Sequence, residues 1–379
     1  VAIVVIVVAG VALAYEEHWF GGNSSAGSCG PLTLQGDGAQ FVAPLLGAWA
    51  QEYNAKTGNQ VNYPGAGSGT GLTHFSENPP IIDFAITDDP LSPAQRAAMP
   101  SQALTLPIIG GALAIIYNVP GVASTVHLNL TGTVVAAIYL GTITNWDDTA
   151  IATINPGITL PNAAITTVHR SGSAGTTYVL SDFLSQDNAT WASQVGKGIS
   201  IAFPATPSET ASSSNSALLS TVATTADTIG YSDLTDVLTL GSSTLGYAAI
   251  ENPAGKFVVP TLPDTASAIA DKTANLTTIP SSTGDWYNVS MVNAHGAADY
   301  PLATFAYMYV YQATDQGFSP SLLKSQVLLQ WIQWALSTGQ ADASGPNLYY
   351  ASLPAAIISV DQAGVQTMTY KGATVPSCS

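Results

Sequence analysis

Cations are what this chain most lacks: lysine and arginine together number 8 in 379 residues, against 24 aspartates and glutamates, for a formal net charge of −16. Nucleic-acid binding draws its affinity from Lys and Arg neutralising phosphates, and no basic patch is visible, so a nucleic-acid partner is excluded. Histidine is also scarce, at 5, and there is no HExxH. The two cysteines, Cys29 and Cys378, lie far apart in sequence and form no metal motif. A metal site is therefore not expected. No lysine follows the glycine-rich run 65–71 as a P-loop requires, the glycine spacing is not that of a dinucleotide fingerprint, and Gly67-Ser68-Gly69 does not complete a nucleophile elbow. Neither a nucleotide cofactor nor catalysis is expected. Charged residues of both signs make up only 8% of the chain, whose bulk is Ser, Thr, Ala and Gly. That composition suits an exported protein, and an acidic habitat in which carboxylates near their reference pKa of about 4 are largely neutral.

Against this background one cation stands in a telling place. Arg170-Ser171-Gly172-Ser173-Ala174-Gly175-Thr176 precedes a run in which Val179, Leu180, Phe183 and Leu184 recur at helical spacing, so Ser173 to Thr176 are predicted to form a first helical turn. Free N–H groups and a planar guanidinium would converge there, a combination suited to oxyanions. A second turn of the same kind, Tyr63-Pro64-Gly65-Ala66-Gly67-Ser68-Gly69-Thr70-Gly71, follows a predicted strand at Gln60 to Tyr63. Taken alone, the first is also read as a capped helix beside a surface Arg.

Seven ordered blocks carry a wider resemblance: LTLQGDGAQFVAPLLGAWAQEYNAKTGNQVNYPGAGSGTG, IDFAITDDPLS, IYLGTITNWDDTAIATINPGITLP, RSGSAGTTYVLSDFL, TIGYSDL, WIQWALSTGQ and YYASLP. From about Leu32 to about Val360 the chain resembles the phosphate-binding proteins that feed ABC transporters. The resemblance implies an α/β, two-lobed periplasmic-binding-protein fold of type II. It also implies an extracytoplasmic receptor that closes on phosphate or a related tetrahedral oxyanion and delivers it to an ABC permease, with no metal. In that family the anion is held by main-chain N–H groups, hydroxyls, one Arg and one Asp. The matching positions are Phe41 for a backbone N–H, Ser68 for a hydroxyl, Asp88 for the acceptor carboxylate, and Arg170, Gly175 and Thr176. A buried carboxylate such as Asp88 accepts only from a protonated oxyanion, because two facing anionic oxygens would cost several kcal/mol when desolvated.

Three positions depart from the family pattern. Gln40 stands where the family has Thr, Ala174 where it has the first Ser of its cluster, and Gly172 where it has an Asp that braces the Arg. Ser173 is the residue that could shift to replace the lost hydroxyl. Each lost hydrogen bond to an anion is worth about 1.5–3 kcal/mol.

The remaining features concern location. Five glycosylation sequons begin at Asn23, Asn129, Asn188, Asn275 and Asn288. With the resemblance they favour a glycosylated, archaeal rather than bacterial surface protein. Cys29 and Cys378 either pair, clasping the ends of the body with a bridge worth on the order of 5 kcal/mol, or remain free thiols. Residues 1–15 are uncharged and apolar up to Glu16 and Glu17, a helix of ~22 Å. Because the chain begins with Val, residues upstream are expected to complete this segment. It resembles the N-terminal helix of archaeal pilin-like proteins and is expected to be a retained membrane anchor or a self-assembling filament core. Ala12-Leu13-Ala14 also imitates a signal-peptide cleavage site. The expected organisation is a hydrophobic helix at 1–20, a linker at 21–30, lobe one at 31–116 and 302–379, and lobe two at 117–301, with crossing strands at Ala112 to Tyr117 and Ala303 to Tyr311. A second function stays open: a structural subunit of a surface filament or layer that reuses the binding-protein fold.

Overall fold

The computed structural model describes residues 29–240 and 244–378. The expected N-terminal helix, most of the linker and the Asn23 sequon lie outside the described residues. The chain begins with β1 (Thr33–Gly38), α1 (Ala43–Thr57), β2 (Gln60–Asn62), α2 (Ser68–Ser76), β3 (Phe84–Thr87), α3 (Pro93–Ala98) and β4 (Ala103–Asn118). It continues through β5 (Asn129–Leu130), α4 (Gly132–Tyr139), α5 (Thr149–Ile154), β6 (Thr166–Arg170), α6 (Gly175–Asp187), α7 (Ala189–Gln194), β7 (Glu209–Ser212) and α8 (Asn215–Thr224). Then follow β8 (Thr228–Asp233), α9 (Leu234–Leu240), β9 (Gly246–Tyr247), β10 (Ala249–Glu251), β11 (Phe257–Val258) and α10 (Leu262–Ala274). The last part holds β12 (Ala303–Tyr311), α11 (Leu322–Ala335), α12 (Thr338–Asp342) and α13 (Ala355–Val365).

One strand organises the whole. β4 runs 16 residues, and all but Asn118 are buried. Such a continuous apolar, β-branched run is what a strand covered on both faces requires. Its first part, Ala103 to Ala112, pairs with β12, and its second, Leu113 to Asn118, pairs with β8. The resulting sheet has the order β2-β1-β3-β12-β4-β8-β6-β7, with β9 also on β4. Pairing is parallel on the outer strands and antiparallel around β4 and β12. The expected strand at Ala112 to Tyr117 is thus the end of a longer one. Pro107, which lacks an N–H, sits at a register shift against Ala306 and Tyr307, where a strand tolerates proline.

Two hydrophobic cores hang on this strand. Ala103 to Ile109 of β4 pack with β1, β3, β12, α1 and α11, whereas Ala112 to Tyr117 pack with α4, α6, α8 and β8. Between them, Gly110 and Gly111 leave room that a Cβ would take from Ile269 and from the Phe41 ring. Ala268, Ile269, Trp286, Val289, Met291 and Ala294 belong to the first core, although their place in 117–301 had assigned them to lobe two. The reason is that α10 lies over the first half of β4. Trp331 and Trp334 stack at 5.5 Å and 11°, with Trp49 edge-on to both, so the aromatic face of α11 is packing rather than a ligand platform. Cys29 and Cys378 form a disulfide with Cα atoms 5.5 Å apart, tying both ends of the body together.

Asp361 on α13 is fully buried, and neither carboxylate oxygen has a hydrogen-bond partner. Burial pushes its pKa well above the carboxylate range. A folded-state pKa above the unfolded value gives stability that is full below the unfolded pKa of about 4 and is lost as pH rises through the folded value. Thermal denaturation of Asp361→Asn across the pH range is expected to show the variant gaining on the parent as pH rises above about 4. A difference that does not change with pH would contradict this.

Candidate oxyanion site

The site lies where the two cores meet, and its first sign is a pattern of missing caps. Helices α3, α4, α5, α7, α8, α10 and α11 each begin with a side chain that accepts a first-turn N–H. α1, α2 and α6 do not, and neither do α12 and α13. Leaving a helix start uncapped costs roughly 1 kcal/mol. For α2 and α6 the cause is in the sequence, since Gly67 and Ala174 hold the cap positions and carry no acceptor. Their free N–H groups and positive dipole ends remain available to an anion.

These two starts face each other. A Cβ on Gly69 would collide with the Ser173 side chain, and one on Gly175 would overlap the Asp88 carboxylate. Glycine at 175 is therefore what lets the end of β3 approach α6. Three side chains there are almost completely enclosed: Ser68 at 1%, Asp88 at 2% and Arg170 at 7% exposure. Each keeps an unpartnered polar atom, namely Ser68 Oγ, Asp88 Oδ1 and Arg170 Nε. Such buried orphans cost about 1–3 kcal/mol each, and these three lie beside two uncapped helix starts.

Electrostatics sharpen the picture. Burial, then the neighbouring Asp233 and Asp89, push Asp88 well above the carboxylate range, with Arg170 opposing. Burial also lowers the Arg170 guanidinium from its ordinary value, while Tyr231, Asp233 and Asp88 favour its charge. Asp233 is itself raised, first by burial and then by Asp236, against its hydrogen bond from Asn215 and the charge of Arg170. The pocket thus offers several donors and, in Asp88 Oδ1, a buried acceptor. A tetrahedral oxyanion that still carries a proton matches that set.

The sequence-predicted residues gather here with two corrections. The first turn of α6 starts at Gly175, so Ser173 precedes the cap at Ala174, whose N–H donates to the Ile199 carbonyl at 2.8 Å. Ser173 instead lies against Gly69 of α2. Gln40 is no simple substitute for a hydroxyl donor: its Oε1 accepts from Arg170 Nη1 at 3.3 Å and from the Asn215 N–H at 2.8 Å. Phe41 is buried with its ring edge-on to Tyr350, whose hydroxyl donates to the Phe41 carbonyl at 2.6 Å. Its own N–H makes no backbone hydrogen bond among the described residues. Thr176 Oγ1 donates to Asn215 Oδ1 at 3.4 Å. His169 stacks on Phe203 at 4.3 Å.

Asn215, Ser213 and Asp233 were missed. Arg170 Nη1 donates to Asn215 Oδ1, Nη2 to the Ser213 carbonyl at 3.0 Å, and Asn215 Nδ2 to Asp233 Oδ2 at 2.7 Å. Asp233 stands inside the TIGYSDL block, the one sequence signal that could have found it.

With this geometry in place, comparison with known proteins is direct. A PBP superfamily domain matches residues 23–338, most of the chain. The protein is therefore a member of the PBP superfamily. The phosphate-binding protein PstS of Xylella fastidiosa (strain 9a5c) is 31% identical over 347 residues, covering 88% of this chain and 86% of that protein. The phosphate-binding protein PstS of Methanocaldococcus jannaschii is 30% identical over 334 residues, covering 84% and 83%. Among solved structures, a high-affinity periplasmic phosphate-binding protein bound with phosphate matches with a TM-score of 0.66 at 21% identity, over 87% of this chain and 93% of its own. The phosphate-binding protein from Stenotrophomonas maltophilia matches with a TM-score of 0.63 at 18% identity, over the same shares. The chain belongs to the family of PstS phosphate-binding proteins, and its described body has the mixed α/β periplasmic-binding-protein fold.

Gln40 occupies two donors that face the site. Gln40→Thr is expected to free them and tighten binding of inorganic phosphate by up to ~10-fold in calorimetric titration. Weaker binding in the variant would contradict this.

Proposed function

We propose that this protein is an extracytoplasmic solute-binding protein that captures phosphate between two lobes and presents it to an ABC permease. The observation that carries the reading is Asp88 Oδ1, a buried acceptor without a partner, set among Ser68 Oγ, Arg170 Nε and the free N–H groups of α2 and α6. Relatives over most of the chain are named phosphate-binding proteins, which supports a receptor rather than a catalyst. The division into two lobes is our reading of the two cores, and closure about the seam near Gly110 and Gly111 would be the functional motion.

The distinguishing chemistry is proton reading. Hydrogen phosphate has a proton to donate to the Asp88 carboxylate, whereas sulfate at neutral pH has none and would set two anionic oxygens against each other. Titration of the stripped full chain is expected to show phosphate bound in strong preference to sulfate at neutral pH, with Asp88→Ala losing that preference. Because the Asp88 pKa is raised, lowering the pH protonates it into a donor, so the preference should shrink on acidification. Equal binding of sulfate and phosphate by the parent at neutral pH would overturn the assignment.

Surface exposure is also part of the reading. Asn275 and Asn288 are exposed, whereas Asn129 is half-buried with Nδ2 donating to the Ile154 carbonyl at 3.0 Å, and Asn188 is half-buried and caps α7. Glycopeptide mass spectrometry of the native protein is expected to find glycans at Asn275 and Asn288 and none at Asn129. The reverse occupancy would contradict an exported, glycosylated form with this fold. The apolar run at residues 1–15 supports a body tethered to the outer membrane face or gathered with its own copies as an archaeal pilin-like helix would be.

A further inference from the structure

Arg170 is a buried cation with an unusual set of neighbours. It takes part in no ion pair among the described residues, and its partners are the neutral oxygens of Asn215, Gln40 and Ser213. The nearest link to a carboxylate is indirect. Asn215 accepts from Arg170 through Oδ1 and donates through Nδ2 to Asp233 Oδ2 at 2.7 Å. Arginine can only donate, so this amide orientation is forced rather than one of two choices. Asn215 and Asp233 are both buried, at 5% and 1% exposure, and the Asn215 side chain also receives Thr176 Oγ1 at 3.4 Å. One amide therefore fixes the guanidinium and a hydroxyl of the α6 first turn together. Gly172, in the loop directly after Arg170, is exposed and has nothing within 4 Å of a Cβ built on it, so that loop offers the guanidinium no brace.

We infer that Asn215, anchored by Asp233, is the positioning residue that holds Arg170 in place for the anion, an assignment that rests on the oxyanion-binding reading above. The amide gives the guanidinium a fixed direction without neutralising it. With Asn215 and Ser213 fixing its direction, the guanidinium is left with Nε unpartnered as a donor for the ligand, beside the Nη1 group that Gln40 covers.

The test uses the full chain, stripped by unfolding and refolding, with inorganic phosphate as probe. Asn215→Ala is expected to weaken phosphate binding roughly 10–100-fold, and Asp233→Asn to weaken it less. Gly172→Asp, added to Asn215→Ala, is expected to recover at least ~10-fold by supplying a brace from the loop. A merely structural loss at Asn215 would not be rescued there. Parental affinity in Asn215→Ala, or a loss without rescue, overturns the inference. A second measurement separates it from the binding reading. The chain contains two arginines, Arg96 and Arg170, so nitrogen-15 arginine labelling resolves both guanidinium groups. Restricted Arg170 Nη rotation in the parent and free rotation in Asn215→Ala support positioning even in a chain that fails to bind phosphate. Identical rotation in both overturns it.

Discussion

A guanidinium buried at the seam of two cores, without a carboxylate in contact, is the constraint to which the rest of this site answers. Taking such a charge out of water costs several kcal/mol unless its donors are satisfied. The fold satisfies three of the five with neutral oxygens and leaves Nε unpartnered, and the charge itself remains for a ligand. Asp88 is the counterpart: a carboxylate driven upward in pKa by burial and by Asp233, with one oxygen unpartnered. Together they set opposite charges side by side in a chain whose net charge of −16 would otherwise repel an anion. Distant surface charge is screened over about 10 Å, whereas these enclosed groups are not.

Stability is surrendered locally to make this arrangement. The missing caps of α2 and α6 and the buried orphan atoms each forgo about 1 kcal/mol or more. The long strand β4 and its two flanking cores absorb that loss, and the Cys29–Cys378 disulfide closes the body behind them. Binding an anion there would recover those interactions.

Much of the site was legible because its chemistry is local. Glycine-rich turns before helix-periodic runs pointed to Ser68, Gly175 and Thr176, and scarce cations made Arg170 conspicuous. The start of α6 was misplaced because Ser173 and Ala174 carry no signal separating a cap from a first turn. Asn215 was invisible for a different reason: its link to Arg170 spans 45 residues and its link to Gln40 spans 175, and an Asn in a serine run has no pattern of its own. β4 begins well before the expected strand, and its Pro107 and Gly110-Gly111 are accommodated by a register shift and by close approach of Ile269 and Phe41. The packing of α10 on the first core depends on tertiary contact and could not be read from order along the chain.

The most direct test of the account is a crystal structure of the protein grown with phosphate. It predicts one anion at the seam, with an oxygen accepting from Arg170 Nε and the first N–H groups of α6, and a second, protonated oxygen donating to Asp88 Oδ1. An anion bound elsewhere, with Asp88 and Arg170 still unpartnered at those atoms, would contradict it.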